Sequence, residues 1–240
     1  SSLNITYLPQ EKWRSLAFIR ELVSNRSIEH LEISTDLGEG FQSLGALLKS
    51  DVLDTLEFNS YGFNNFDTIG LECARNIALM LNQPNQRNHL TSLVFEDIEI
   101  SGEAMAEIAT ALSAHPQLEK LDLSCDIPPG SRLGNVELGR MLGGWEKPNL
   151  KDLSIWHDDF DDEGLHALVA GMRNCRNLTS LFCGGTSITT NRCRLLSALF
   201  QSDHFCLEHM HLSIFNIDGY CVAALATGLE NLSSLKSLSL

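Results

Sequence analysis

His204, Cys206, His209 and His211 form the densest run of metal-ligating residue types in the 240-residue sequence. On an extended strand His209 and His211 point the same way, within reach of one ion. A structural site needs four ligands, and His204 and Cys206 precede the strand pattern with nothing to aim them. Two surface histidines are the plainer reading, and no metal is assigned. The acidic run Asp158, Asp159, Asp161, Asp162 and Glu163 lacks the D-x-D-x-D-G order and the twelfth-position glutamate of a calcium loop. Helix capping and compensation of the helix dipole account for it. Eight histidines and many serines are present, yet there is no nucleophile elbow, Walker loop or G-x-G-x-x-G. No catalytic residue and no cofactor is assigned, and the expectation is a protein that is not an enzyme.

What remains is recognition chemistry. Alternate positions of a series of short apolar segments carry Glu32, Glu57, Glu96, Asp122 and Asp152, an acidic ladder. Further along, the same positions carry Trp156, Phe182, His209 and His211. Exposed aromatics anchor a partner and charges steer it, so these residues are the candidate binding set. Solubility and the taste of strands for aromatics would explain the same residues without a partner. Two longer insertions, around Asn59–Gly70 with Tyr61, Phe63 and Phe66 and around Asp126–Asn135 with Pro128, Pro129 and Gly130, add candidate loops on one edge.

The elements that position these side chains repeat. An L-x-x-L-x-L opening occurs at Ile28/Leu31/Ile33, Leu53/Leu56/Phe58, Leu90/Leu93/Phe95 and Leu118/Leu121/Leu123. It continues at Leu150/Leu153/Ile155, Leu178/Leu181/Cys183, Leu207/Met210/Leu212 and Leu235/Leu238/Leu240. The eight copies are spaced 25, 37, 28, 32, 28, 29 and 28 residues apart, the period of a solenoid. After each regular opening an i, i+3, i+7 apolar stripe predicts a helix: Met105/Ile108/Leu112, Leu165/Leu168/Met172, Cys193/Leu196/Phe200 and Val222/Leu225/Leu229. Ser101, Asp161 or Asp162, and Asp218 stand where the first helical N–H groups need a cap. Residues 1–26 read as an amino-terminal cap or the remnant of an earlier repeat, and residues 27–240 as one array.

The pattern resembles the leucine-rich-repeat family, in particular its ribonuclease-inhibitor-like subgroup with long strand-plus-helix units. Phe160, Asp162, Glu163 and Gly164 match that subgroup's I-x-D-E-G helix start. The resemblance implies an α/β leucine-rich-repeat solenoid of about eight repeats, with a curved parallel sheet on the concave face and helices on the convex face. It also implies a protein-binding module or scaffold. An architectural subunit docking through its edges or open end stays open. So does a GTPase-activating role, because Ran GTPase-activating proteins resemble this repeat class. One feature departs from the family: its Asn/Cys ladder position is held by Asp36, Tyr61, Ile98, Asp126, Asp158, Thr186 and Phe215, so the loops there are expected to be less regular.

Charge narrows the partner. Seventeen Lys and Arg face 31 Asp and Glu, a net charge of −14, which repels nucleic acid and anionic membrane surfaces. The expected partner is a protein of basic character. No apolar run reaches the ~18–20 residues of a membrane span. Seven scattered cysteines without a C-x-x-C pair favour a reducing, intracellular and cytoplasmic setting. The last apolar opening ends on Leu240 with no helix after it, so a longer protein or a covered end is expected.

Overall fold

The fourth position of each opening, leucine in all but the one that holds Met210, sets the register of the sheet. In the computed structural model Leu3, Leu31, Leu56, Leu93, Leu121, Leu153, Leu181, Met210 and Leu238 are partnered one to the next across parallel strands. The structure describes residues 2–6, 28–34, 53–59, 68–82, 89–126, 132–145, 148–156, 162–185, 189–202, 206–214 and 217–240. The strands are β1 (Ser2–Thr6), β2 (His30–Ser34), β3 (Thr55–Asn59), β4 (Thr68–Ile69), β5 (Ser92–Ile100), β6 (Lys120–Asp126), β7 (Asp152–Trp156), β8 (Ser180–Gly185), β9 (His209–Ile214) and β10 (Ser237–Ser239). They form one sheet in chain order, with β4 alone off the path, paired to β5. β1 already keeps the register, with Leu3 opposite Leu31 and Ile5 opposite Ile33.

Parallel neighbours cannot be joined by a hairpin, so each connection must cross back along one side of the sheet. Six described helices do so: α1 (Leu71–Leu81), α2 (Gly102–Leu112), α3 (Arg132–Gly144), α4 (Asp162–Met172), α5 (Thr190–Phe200) and α6 (Gly219–Leu229). Each helix packs on its sequence neighbours, the one-dimensional stacking of a repeat array. Between the layers lie the strand leucines and the helix stripes. Met105, Ile108, Leu112, Leu165, Leu168, Met172, Cys193, Leu196 and Phe200 are all buried, as the helical spacing predicts. Full burial of one such side chain contributes roughly 1.5–3 kcal/mol, so these two layers dominate stability. The architecture is an α/β leucine-rich-repeat solenoid.

Val222 departs from its stripe. It is 50% exposed, whereas Cys221 beside it is buried. Cys221 faces α5, its Sγ 3.9 Å from Thr190 Oγ1. Val222 turns to the other side of α6, where no described helix packs. Leu238 and Leu240 are exposed at the same end.

The repeats are stitched at the helix exits. A helix leaves its last carbonyls without internal partners, and a side chain from the next repeat supplies the donor. Trp145 Nε1 donates to Leu112 O at 3.0 Å, and Asn174 Nδ2 to Gly143 O at 2.6 Å. His115, fully buried, lies with Nε2 2.7 Å from Leu81 O and Nδ1 3.1 Å from the Gln117 amide nitrogen. A carbonyl only accepts, so Nε2 carries the proton and Nδ1 accepts from Gln117. Ile98, at the expected ladder position, is buried in the core. It reaches the core through a bulge between Glu96 and Glu99, where Asp97 adopts a left-handed φ of 54°.

Ser101 and Asp218 cap α2 and α6 by accepting from Ala104 N and Cys221 N, and Thr189 caps α5 in the same way. Asp162 is the first residue of α4, its carboxylate held by Arg192 at 2.7 Å. Both insertion readings need correction. Thr68–Ile69, taken as loop, form β4 against Glu99 and Ile100 of β5, with Ile69 buried in the core, and Arg132–Asn135 form the first turn of α3. Tyr61, Phe63, Phe66, Pro128, Pro129 and Gly130 lie outside the described residues, as do Asp36, Asp158, Thr186 and Phe215 of the ladder position. Burial pushes the Cys175 thiol up to about 12, which keeps it protonated and unreactive.

Candidate interaction face

The side of the sheet away from the helices carries the alternate strand residues. Register sorts them into three rows. The central row runs Glu32, Glu57, Val94, Asp122, Ser154, Phe182, His211. A second row holds Lys120, Asp152, Ser180 and His209, and a third holds Asn59, Glu96, Ser124, Trp156 and Gly184. The acidic residues therefore do not form one straight ladder. Glu32, Glu57 and Asp122 share the central row, Glu96 stands one step to one side and Asp152 one step to the other. Val94 interrupts the row and is 4% exposed, a short side chain between Glu57 and Asp122.

Asn59 is the residue that sequence reasoning missed here. It is 2% exposed, and its Nδ2 donates to Glu32 Oε1 and to Glu57 Oε1, both at 3.0 Å. One amide thus holds two carboxylates side by side against their mutual repulsion. Asp122 is held too, its Oδ1 accepting from Ser124 N at 3.1 Å and Ser124 Oγ at 2.7 Å, with Ser154 Oγ 3.0 Å further on.

Glu96 is exposed, and its carboxyl is held above the usual range. Desolvation by its neighbours is the largest cause, followed by repulsion from Asp97, Asp122 and Glu57, with Lys120 opposing. A carboxyl raised in the folded state contributes stability below its unfolded pKa and loses it as pH rises through the folded value. Glu96→Gln is therefore expected to raise the melting temperature by a degree or so at pH 7 and to change nothing near pH 3. Thermal scans at both pH values check this, and an equal gain at both would contradict it.

The aromatic part of the face is ordered. Phe182 and His211 stack with ring centroids 4.5 Å apart and planes 1° apart. Trp156 stacks on Phe182 from the other side at 5.8 Å and 29°. Gly184 makes room: a Cβ there would lie 2.4 Å from Trp156 Cε3. The only hint in the sequence was a glycine inside a strand, which often marks close approach of another group. Trp156, Phe182 and His211 are each half-buried, while His209 lies exposed in its own row outside the stack. The structure thus brings Trp156, Phe182 and His211 together and leaves His209 apart.

Among the described residues no group of three or more His, Cys, Asp or Glu is placed to hold a metal ion. No described helix is long and apolar enough to cross a membrane.

Compared with models of known protein families and with curated proteins, the sequence matches none. Among solved structures, an internalin from Listeria monocytogenes is similar over 90% of this chain and 81% of its own, at 13% sequence identity and a TM-score of 0.30. A likeness of that degree carries no argument about function, and the repeat architecture stands on the register of the sheet itself.

Proposed function

We propose that this chain is a protein-binding module or scaffold whose partner docks on the open face of the sheet. The Trp156–Phe182–His211 stack carries this reading. Three half-exposed rings are already ordered on rigid strands, so association loses little side-chain entropy there. Glu32, Glu57, Glu96, Asp122 and Asp152 would draw in a basic surface, with His209 at the rim and Tyr61, Phe63 and Phe66 extending the contact. A net charge of −14 speaks against nucleic acid. The strand-plus-helix units favour the ribonuclease-inhibitor-like subgroup and a single array, and the buried free thiol of Cys175 favours an intracellular, reducing setting.

The test is retention of partners from source-cell extract by the wild-type chain and by Trp156→Ala/Phe182→Ala, with retained proteins identified by mass spectrometry. A protein held by the first and lost from the second is expected. Its affinity should fall at high salt and on reversing Glu57, Glu96 and Asp122 to lysine. Identical retention by both chains would overturn the reading. It would favour an assembly subunit that docks through the exposed Tyr220, Val222 and Leu238 of the last repeat.

A further inference from the structure

Asn59 leaves one end of its amide unserved. Its Nδ2 donates to Glu32 Oε1 and Glu57 Oε1, so the oxygen cannot take the nitrogen's place without setting a carbonyl against two carboxylates. Trigonal geometry at Cγ turns Oδ1 away from both. The side chain is 2% exposed, and Oδ1 has no hydrogen-bond partner among the described residues. A buried acceptor left in this way forfeits its solvation without compensation, so a donor within reach is drawn to it. On the flank away from β2 lies β5, where the register partner of Asn59 is Glu96, about 4.8 Å across the same open face. A carboxylate has nothing to donate, whereas a carboxylic acid has one O–H.

Glu96 is also the carboxyl placed to take up a proton. Glu57 of β3 and Asp122 of β6 flank Val94, two residues before it on β5, and Asp97 follows it directly. Lys120 of β6 alone opposes them, and β4, paired to the far end of β5, carries no charged residue. Desolvation first, then repulsion from these three acids, favours the neutral form. We propose that Glu96 is an acid-operated latch on the open face: on taking a proton it donates to Asn59 Oδ1 and withdraws its negative charge from the surface offered to a basic partner. The proposal rests on the open face being the binding surface. The proton comes from solvent and returns to it. As pH falls through the folded-state transition of Glu96 the latch closes and the hold on a basic partner weakens; as pH rises the carboxylate is restored. His209 and His211 stand on β9, with β6, β7 and β8 between them and Glu96.

The latch is tested on the full, isotope-labelled chain by following the Glu96 carboxyl carbon and the Asn59 side-chain amide through one NMR pH titration. Both should move in a shared step. Glu96→Gln keeps a donor and Glu96→Ala has none, while both remove the charge. The glutamine variant should lose the step and hold the Asn59 amide at its acid position; the alanine variant should lose the step and hold it away from that position. The effect on binding is read with an end-blocked tetralysine peptide. Its affinity should fall about threefold through the step in the wild-type chain, the worth of one exposed ion pair, and show no such fall in Glu96→Gln. That comparison also cancels any contribution of His209 and His211. An Asn59 amide that ignores the Glu96 step would overturn the proposal, as would the same Asn59 position in both variants or an equal loss of peptide affinity in Glu96→Gln. If the Asn59 step is absent while Trp156→Ala/Phe182→Ala still loses the protein partner, the latch is wrong and the face reading stands. If the step is present but that variant retains every partner, the face reading falls and takes the latch's role in binding with it.

Discussion

Alanine at Gly139 or Gly171 is expected to lower the unfolding free energy by about 3 kcal/mol, at the upper end of what overpacking costs. A Cβ on Gly139 would lie 2.3 Å from the carbonyl carbon of Ala167 and 2.4 Å from its oxygen. On Gly171 it would lie 2.3 Å from the carbonyl oxygen of Gly139 and 2.9 Å from Leu142 Cβ. The obstacle in each case is mostly helix backbone, which cannot rotate aside. α3 and α4 would have to move apart, drawing the buried Leu142 and Leu168 out of contact. Because both substitutions attack one approach, the double variant should lose less than the sum of the singles. Gly144 has nothing within 4 Å of its Cβ position, so Gly144→Ala should be neutral or gain up to about 1 kcal/mol from helix propensity. Urea unfolding followed by far-UV circular dichroism checks all four variants. A loss at Gly144 as large as at Gly171 would show that the close approach of α3 and α4 is not the cause.

Gly184→Ala should leave stability nearly intact and damage binding. The clash is again severe, with Cβ 2.4 Å from Trp156 Cε3 and 2.7 Å from Cζ3. Here the obstacle is a half-exposed side chain that can swing towards solvent, so a cost within about 1 kcal/mol is expected. Swinging away removes Trp156 from its stack on Phe182. The near-UV circular dichroism of the stacked rings should diminish, and affinity for the partner identified by retention should fall at least about tenfold, or 1.4 kcal/mol. An altered near-UV spectrum with unchanged affinity would mean that the ordered stack is not the anchor.

Three kinds of feature were readable along the chain, and all of them are local. The L-x-x-L-x-L openings place Leu31 to Leu238 in one register, because alternation within a strand decides which side chain faces the helices. Ser101 and Asp218 cap their helices because a cap bonds only three residues ahead. The stripes of α2, α4 and α5 follow from helical geometry alone.

The same local logic misjudged Val222. Its spacing matches that of Met105, Leu165 and Cys193, but burial needs a neighbouring helix and α6 packs on α5 alone among the described helices. The acidic residues were legible as a set, yet their arrangement in three rows depends on which strand positions become partners. Asn59 reaches a carboxylate 27 residues away as well as one two residues away, and no short-range pattern encodes the longer contact. Gly139 with Gly171, and Gly184 with Trp156, matter only because neighbouring repeats approach closely in space.

The sequence by itself therefore determined the repeat, the shared register of the strand leucines and the buried stripes of α2, α4 and α5, since these follow from periodicity within one unit. Tertiary structure alone decided which carboxylates are clamped together and which rings stack, because each of these is a contact between units whose spacing is set by the stacking of the sheet.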